Sequence, residues 1–165
     1  MKKLLKIFTI TIGIALIGWS CSEDRLEPVL TVAPGGGLVS QYTAYTIDSV
    51  AGQSSVYGRV VFWLDNAGNT LIQLALHNTS DGGLHPSSVF GGSITVPGAE
   101  LMVLDDVDGD KGEFISNKFF VISDETFYAN LDSYDAHINI YRSSTDMTII
   151  ATGDIGLNAD PVETN

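Results

Sequence analysis

The chain has 165 residues, and its 20 acidic against 8 basic side chains give a formal net charge of −12 at pH 7. Such a charge argues against nucleic acid as a partner, because proteins bind phosphates through lysine and arginine, and against electrostatic adsorption to anionic lipid. It leaves room for a cation or a basic partner.

The first residues of the chain predict a secretory signal peptide. Lysines come first, residues 7–19 are apolar apart from two threonines, and Ser20 precedes Cys21, an order typical of such signals. The apolar run has 13 residues, whereas a transmembrane helix needs about 20. We therefore expect residues 1–20 to be removed. Because they contain three lysines and no acidic residue, their removal changes the net charge from −12 to −15.

Cys21 is the only cysteine of the chain, so it cannot form an internal disulfide. Its position after the apolar run resembles the lipobox of bacterial lipoproteins, which implies cleavage before the thiol and transfer of diacylglycerol to it. Gly18 and Trp19 depart from the Leu-Ala/Ser pattern usual there, and an ordinary signal with a chance cysteine is the alternative. Ser22-Glu23-Asp24 resembles the acidic tag of some surface lipoproteins of Gram-negative bacteria, or it starts a solvated linker.

The rest of the chain divides into a tether, one domain and a tail. Residues 21–37 end in Pro34-Gly35-Gly36-Gly37, a sequence that breaks regular structure and supplies slack. Residues 38–158 are predicted to form one folded domain, since their number suits a single hydrophobic core. Residues 159–165 are predicted to form a C-terminal tail.

The domain is predicted to be all-β. Short runs rich in Val, Ile, Thr, Tyr and Phe alternate with turn residues, which is typical of strands. Seven or eight such strands favour an antiparallel sandwich or a barrel. We place the strands at 40–48, 56–64, 70–77, 88–95, 100–104, 113–122, 135–142 and 147–154.

Alternation of residue types predicts which faces of these strands are buried. Ile72, Leu74 and Leu76 share one face of their strand, as do Ala136, Ile138 and Ile140, and a period of two places these faces on the core. The opposite faces, which carry Gln73 and His77 on one strand and His137, Asn139 and Tyr141 on the other, are predicted to face solvent. The apolar run 60–64 has no polar face, which predicts a central strand covered on both sides.

Three turns and one helix complete the prediction. Turns are expected at 65–69, where Gly68 is free to adopt a positive φ, at Pro97-Gly98 and at 108–112. Residues 123–131 are predicted to form a short helix with Ser123 as its N-cap and acidic residues in its first turn.

Two segments resemble the closing hairpin of CHRD domains, a family named after chordin. Tyr134-Asp135-Ala136-His137-Ile138-Asn139-Ile140-Tyr141 is followed by Ile149-Ile150-Ala151-Thr152-Gly153-Asp154-Ile155-Gly156, where the family reads approximately Tyr-x-Asn-Val-His and then Gly-Glu/Asp-Ile-x-Gly. Residues 58–62 and 71–76 are similar to the family's opening strands, and residues 78–86 to the segment that enters its His-Pro-x-His-Ile-His motif.

The resemblance to CHRD domains covers most of residues 56–158. It implies an immunoglobulin-like or superoxide-dismutase-like antiparallel β-sandwich in an extracellular or lipoprotein setting. It implies extracellular binding and no established general activity. The residues that match the family's motifs are His85, Asn139, Gly153, Asp154 and Gly156.

The histidine motif of the family is incomplete in this chain. Histidines two apart on a strand point to one face and can jointly hold copper or zinc. Here the motif reads His85-Pro86-Ser87-Ser88-Val89-Phe90, and Tyr141 replaces the late histidine, so we predict that the metal site is lost. A site built from His77, His85 and His137 would require neighbouring strands, and scattered surface or loop histidines are the alternative.

An acidic loop at 105–113 suggests calcium. Asp106, Asp108 and Asp110 occupy alternate positions, as ligands 1, 3 and 5 of a calcium loop do. Lys111 stands where that loop needs glycine, and Asn117 stands where it needs glutamate. The loop is therefore either a calcium site completed by a distant carboxylate or a hairpin turn in an acidic protein.

The sequence favours a non-catalytic protein. It contains no Gly-x-Ser-x-Gly turn, which hydrolases use between strand and helix, and lipidation would consume its only thiol. We expect a lipid-anchored binding or structural module of the cell envelope. We place it in the outer membrane, and exposure on the cell surface is one option. Its ligand would be a protein or glycan, reached through loops 78–91 and 105–113. The alternative is a metal-dependent extracytoplasmic protein, calcium-binding or dismutase-like.

Overall fold

The computed structural model describes residues 39–79 and 82–165. Cys21, the predicted signal peptide and the predicted tether lie outside these residues. Within them, β-strands form nearly all of the regular structure, and no helix is long and apolar enough to cross a membrane. The described strands are β1 (Val39–Ser49), β2 (Tyr57–Asp65), β3 (Thr70–His77), β4 (Leu84–His85), β5 (Ser87–Ser93), β6 (Val96–Val103), β7 (Val107–Asp108), β8 (Glu113–Phe114), β9 (Phe120–Ile122), β10 (Asp135–Tyr141), β11 (Ile149–Gly156) and β12 (Glu163–Thr164).

One antiparallel sheet runs in the order β6-β5-β10-β11-β1-β2-β3-β9. Strand β1 joins its halves, because residues 39–47 of β1 pair with β2 whereas Asp48 and Ser49 pair with β11. We refer to β5, β6, β10 and β11 as the β10 sheet and to β2, β3 and β9 as the β2 sheet. The whole sheet curls into a half-barrel, and the predicted all-β antiparallel fold is confirmed. Strands β4, β7 and β8 form a small separate sheet.

The two sheets meet in one apolar core. Ile138 and Ile140 of β10 pack in the same cluster as Ile72 and Leu74 of β3, and all four side chains are fully buried. The core faces predicted from alternation are therefore confirmed. Burying each such side chain contributes about 1.5–3 kcal/mol to the free energy of unfolding.

The β2 sheet is also covered on its other side. Val61 and Trp63 pack there with Phe119 from the loop before β9, and each of the three is at most 4% exposed. The prediction that residues 60–64 are covered on both sides is thus confirmed at Val61 and Trp63. The prediction that Gln73 faces solvent is wrong: its side chain is 7% exposed and its Oε1 accepts the Trp63 indole N–H at 3.1 Å.

The β5–β6 hairpin differs from the predicted turns. The chain reverses at residues 94–95, and Pro97-Gly98, predicted as a turn, lies inside β6. Strand β6 is an edge of the sheet, where proline is tolerated because its missing N–H leaves no internal ladder bond unmade. The turn at 65–69 forms as predicted, with Gly68 at a φ of 87°.

Residues 113–122, predicted as one strand, form two. Strand β8 pairs with β7 in the small sheet, and β9 pairs with β3 in the β2 sheet. The two pairings lie in different sheets, so residues 115–119 must cross between them. Sequence propensity does not show this break, because it depends on which partner each half meets.

The predicted helix at 123–131 is replaced by a shorter one. A 3-10 helix spans Tyr128–Ser133, and no side chain caps its N-terminus. Asp124 instead accepts the N–H and the hydroxyl of Thr126 at 2.9 and 2.8 Å. This local turn uses the Asp124 carboxylate, which the prediction placed in the first turn of the helix.

The residues assigned to a C-terminal tail contain β12. This strand pairs with Thr43 and Ala44 of β1. Its Glu163 lies 2.8 Å from the guanidinium of Arg59 and accepts the hydroxyl of Tyr42 at 2.6 Å. The folded unit therefore continues beyond 158.

Candidate functional site

Several of the CHRD-like motif positions meet on the outer face of the β10 sheet, the face turned away from the main core. Strands β5 and β10 are adjacent, and their register places Ser88 opposite Asn139 and Phe90 opposite His137. Alternation then puts Tyr141 on the same face. The sequence alone did not show that these segments are neighbours, since 49 positions separate Ser88 from His137.

His137 is buried on this outer face, so its predicted exposure to solvent is wrong. The side chain is 2% exposed, and its ring stacks on Phe90 with centroids 5.6 Å apart. Its Nδ1 lies 2.8 Å from the carbonyl oxygen of Gly92. Because a carbonyl oxygen only accepts, Nδ1 carries the proton and donates it.

A chain of hydrogen bonds continues from His137 across two strands. With Nδ1 protonated, the neutral ring accepts at Nε2 from the Asn139 amide, 3.3 Å away. The Oδ1 of Asn139 in turn accepts from the Thr152 hydroxyl at 2.7 Å. Asn139, predicted to face solvent, is 6% exposed. These groups satisfy one another, which is what buried polar side chains require.

Tyr141, which the resemblance to CHRD domains aligns with a late histidine, is likewise buried rather than solvent-facing. Its ring is 8% exposed. Burial raises the pKa of its hydroxyl above the ordinary value, and a hydrogen bond with Asn139 opposes this rise. A buried phenol that keeps its proton is a poor metal ligand.

His77 lies apart from this network, and His85 meets it only at the backbone, where its Nδ1 lies 3.2 Å from the carbonyl oxygen of Tyr141. His85 is 1% exposed, and its Nδ1 lies 2.9 Å from the carbonyl oxygen of Arg142. His77 is half-buried on β3 and packs against Tyr57, with ring centroids 5.2 Å apart. The histidines are scattered, but two of the three are buried rather than on the surface.

The Gly-Asp-x-Gly residues of β11 have structural roles. A side chain at Gly153 would collide with the backbone of Thr46 on β1, and one at Gly156 would collide with the carbonyl oxygen of Tyr134. Asp154 accepts the N–H of Ile94 at 2.7 Å, across the tip of the β5–β6 hairpin. The two glycines therefore allow neighbouring backbone to pack closely, and Asp154 holds the tip of the hairpin to β11.

The acidic loop is a turn between β7 and β8, as predicted. Asp108 accepts the N–H of Asp110 at 2.9 Å and lies 3.2 Å from the Lys111 ammonium, and both contacts hold the pKa of its carboxyl below the usual value. Asp110 accepts the N–H of Gly82 at 2.6 Å. Asp106 accepts from Ile115 through its backbone carbonyl at 2.9 Å. The Asp108 side chain thus binds within the loop, and the Asp110 side chain ties the loop to the segment before β4.

Metal-ligating side chains do not converge in the described residues. Across 39–79 and 82–165, no group of three or more His, Cys, Asp or Glu side chains is placed to hold one ion. The predicted calcium ligands Asp106, Asp108 and Asp110 are among the side chains that form no such group. The outer face does carry two hollows, described below, that sequence reasoning missed because five separate segments line them, at 46–50, 94–97, 137–139, 149–154 and 158–160.

Comparison with known protein families, with curated proteins and with solved structures finds no match for this chain. The class that the fold defines is an all-β, antiparallel protein.

Proposed function

We propose that this protein is a lipid-anchored, non-catalytic binding or structural module of the cell envelope, of the CHRD type. The observation that carries the proposal is the order of the N-terminal sequence: lysines, an apolar run too short to span a bilayer, and then the single cysteine, Cys21. Acylation of that thiol would anchor the domain to a membrane. Two or more chains are needed for stable anchoring, at about 0.8 kcal/mol per buried methylene group.

The contacts of the outer face support a binding rather than a catalytic role. His85 and His137 each donate to backbone carbonyl oxygens, and the Asn139 amide occupies the remaining nitrogen of His137. Ser88, Phe90 and Tyr141 stand at the other motif positions. These side chains make contacts within the folded domain. The surface loops and grooves are therefore the parts that would contact a protein or glycan ligand at the outer membrane.

Incorporation of labelled palmitate tests the anchor. We expect labelling of the wild-type chain, loss of labelling in Cys21→Ala and full labelling in the matched control Ser22→Ala. Fractionation should then move Cys21→Ala out of the membrane fraction. Equal labelling of wild type and Cys21→Ala would overturn the proposal.

Metal analysis tests the non-catalytic part of the proposal separately. The purified chain is expected to contain no stoichiometric copper or zinc after dialysis against a weak chelator. One equivalent of either metal, lost in His137→Ala, would instead support a dismutase-like protein.

A further inference from the structure

An apolar hollow lies on the outer face of the β10 sheet beneath the tip of the β5–β6 hairpin. Its volume is about 230 Å³. Its polar side chains, His137, Asn139 and Thr152, already bond to Gly92 and to one another, and its other walls are aliphatic. The residues that form the aliphatic walls are Val50, Ile94, Pro97 and Ile149. A guest in this hollow would therefore meet mainly apolar surface.

An acidic hollow of about 290 Å³ adjoins it on the other side of Ile94. Asp48 from β1, Asp154 from β11 and Asp160 from the C-terminal segment contribute its carboxylates. Asp48 and Asp160 are exposed and Asp154 is half-buried. Because Ile94 borders both hollows, we treat them as one feature and refer to it as the β11 groove.

The negative charge of the groove is not neutralised by the described part of the chain. Its four basic side chains are engaged elsewhere: Arg59 with Glu163, Lys111 with Asp108, Arg142 with Asp146, and Lys118 over the ring of Phe119. No ion pair in residues 39–79 or 82–165 includes Asp48, Asp154 or Asp160. A cationic guest would therefore gain attraction without displacing an existing ion pair, and Asp154 would keep the Ile94 N–H on its Oδ1.

The spacing of these carboxylates favours an extended guest over a metal ion. Within the described residues the three aspartates do not form a group that could surround one ion. Both hollows are smaller than drug-sized pockets, whose volumes start at about 300 Å³. Two small hollows of different polarity on either side of one residue suit successive side chains of a polypeptide.

We propose that the β11 groove binds an extended basic segment of a partner protein. A lysine or arginine side chain would enter the acidic hollow, and a neighbouring apolar side chain would enter the aliphatic hollow. The aliphatic stem of the basic residue would pass over Ile94 while its charge stays near the carboxylates. This proposal deepens the binding function proposed above, on which it rests, and selects protein over a neutral glycan because only the former compensates the charge.

Fluorescence anisotropy with the full chain in a non-ionic detergent tests the proposal. The probe is a labelled peptide of about ten residues that alternates lysine and leucine, and its counterpart alternates glutamate and leucine. We expect the lysine peptide to bind, and its affinity to fall several-fold between about 50 and about 300 mM NaCl, because salt screens exposed charges. Absence of binding, or equal binding of the glutamate peptide, would overturn the proposal.

Paired variants locate the binding. Asp48→Asn combined with Asp160→Asn should weaken the lysine peptide roughly three- to tenfold, the range of two exposed ion pairs. The matched control, Glu125→Gln with Asp132→Asn, removes the same charge from exposed acids outside the groove and should change affinity less than twofold. Equal losses in the two pairs would show attraction to net charge alone and would reject the groove.

Ile94→Ser tests the aliphatic hollow. It keeps the backbone N–H that Asp154 accepts and removes the apolar wall between the hollows. We expect weaker binding at both salt concentrations with the salt dependence retained. Unchanged affinity in this variant would show that the apolar hollow does not contribute to binding, and would overturn that part of the proposal.

A pull-down from envelope extract separates the two proposals. If wild type and Asp48→Asn/Asp160→Asn retain the same partner equally, the groove is not its site, while the binding function and the Cys21 anchor both stand. Loss of the partner in this variant alone would support the groove. Retention of a glycan in place of a protein would contradict it.

Discussion

His137 holds two strands to each other through one ring. Its Nδ1–H donates to Gly92 near the tip of the β5–β6 hairpin, and its Nε2 accepts from Asn139 on its own strand. The hairpin covers the ring, so the residue is buried although it points away from the main core. Alternation alone predicted exposure because it assumes that nothing lies above the outer face.

Gly156 is expected to be intolerant of a side chain, and Gly52 provides the matched control. Both have a positive φ, 61° and 76°, but a Cβ at Gly156 would collide with backbone carbonyls whereas one at Gly52 has nothing within 4 Å. The left-handed conformation alone costs about 1–2 kcal/mol. We expect urea denaturation to show a loss of about 1 kcal/mol for Gly52→Ala and at least twice that for Gly156→Ala. Similar losses in the two variants would contradict the collision.

The β5–β6 hairpin is the element that shapes the outer face. Besides the pairing of β5 with β10, two hydrogen bonds tie the region of its tip to the sheet, one from His137 to Gly92 and one from Ile94 to Asp154. Its strand β6 is an exposed sheet edge, with Val96 73% and Val103 64% exposed. Pro97 and the register shifts along β5 and β6 are features that discourage pairing of such edges between molecules.

Asp154→Ala should loosen the tip of this hairpin. The carboxylate accepts the Ile94 N–H at 2.7 Å, and a bond to a charged acceptor at a half-exposed site contributes about 1 kcal/mol. Hydrogen exchange followed by NMR should show the Ile94 amide exchanging roughly fivefold faster in the variant, while core amides of β10 change only with global stability. The control is Asp48→Ala, which removes a neighbouring carboxylate of the same groove. Faster exchange at Ile94 in both variants, to the same extent, would contradict the specific bond.

At the scale of the whole molecule, negative charge dominates. The full chain carries −12, and the charge becomes −15 if residues 1–20, with their three lysines, are removed. Self-repulsion of this kind destabilises a compact state and is relieved by salt. It also gives any basic partner a faster encounter, which fits the groove proposed above.

Salt should therefore stabilise the protein without selecting calcium. We expect the melting temperature to rise with ionic strength, and to be the same in calcium, magnesium and sodium chloride at equal ionic strength. The reason is that Asp108 is paired with Lys111 and Asp110 binds the backbone of Gly82. A rise specific to millimolar calcium, abolished in Asp106→Asn with Asp110→Asn, would show that the acidic loop is a calcium site.

The elements of the fold were largely predictable from residue type. Alternation identified the core faces of β3 and β10, and the apolar run in β2 identified a strand covered on both sides. The errors about solvent exposure share one cause: Gln73, His137 and Asn139 are polar residues on outer faces that other parts of the chain cover. Local pattern contains no information about a covering layer that comes from a distant segment.

The sequence by itself determined the all-β character, because side-chain periodicity and turn residues act locally along the chain. It also determined the acidic charge and the presence of a single cysteine at the end of an apolar run. Only the tertiary structure decided that Ser88 and Phe90 lie beside Asn139 and His137, since strand order depends on pairing between distant segments. It likewise decided that β1, the β5–β6 hairpin, β10, β11 and the C-terminal segment enclose one groove, because a cavity exists only between elements that have already packed.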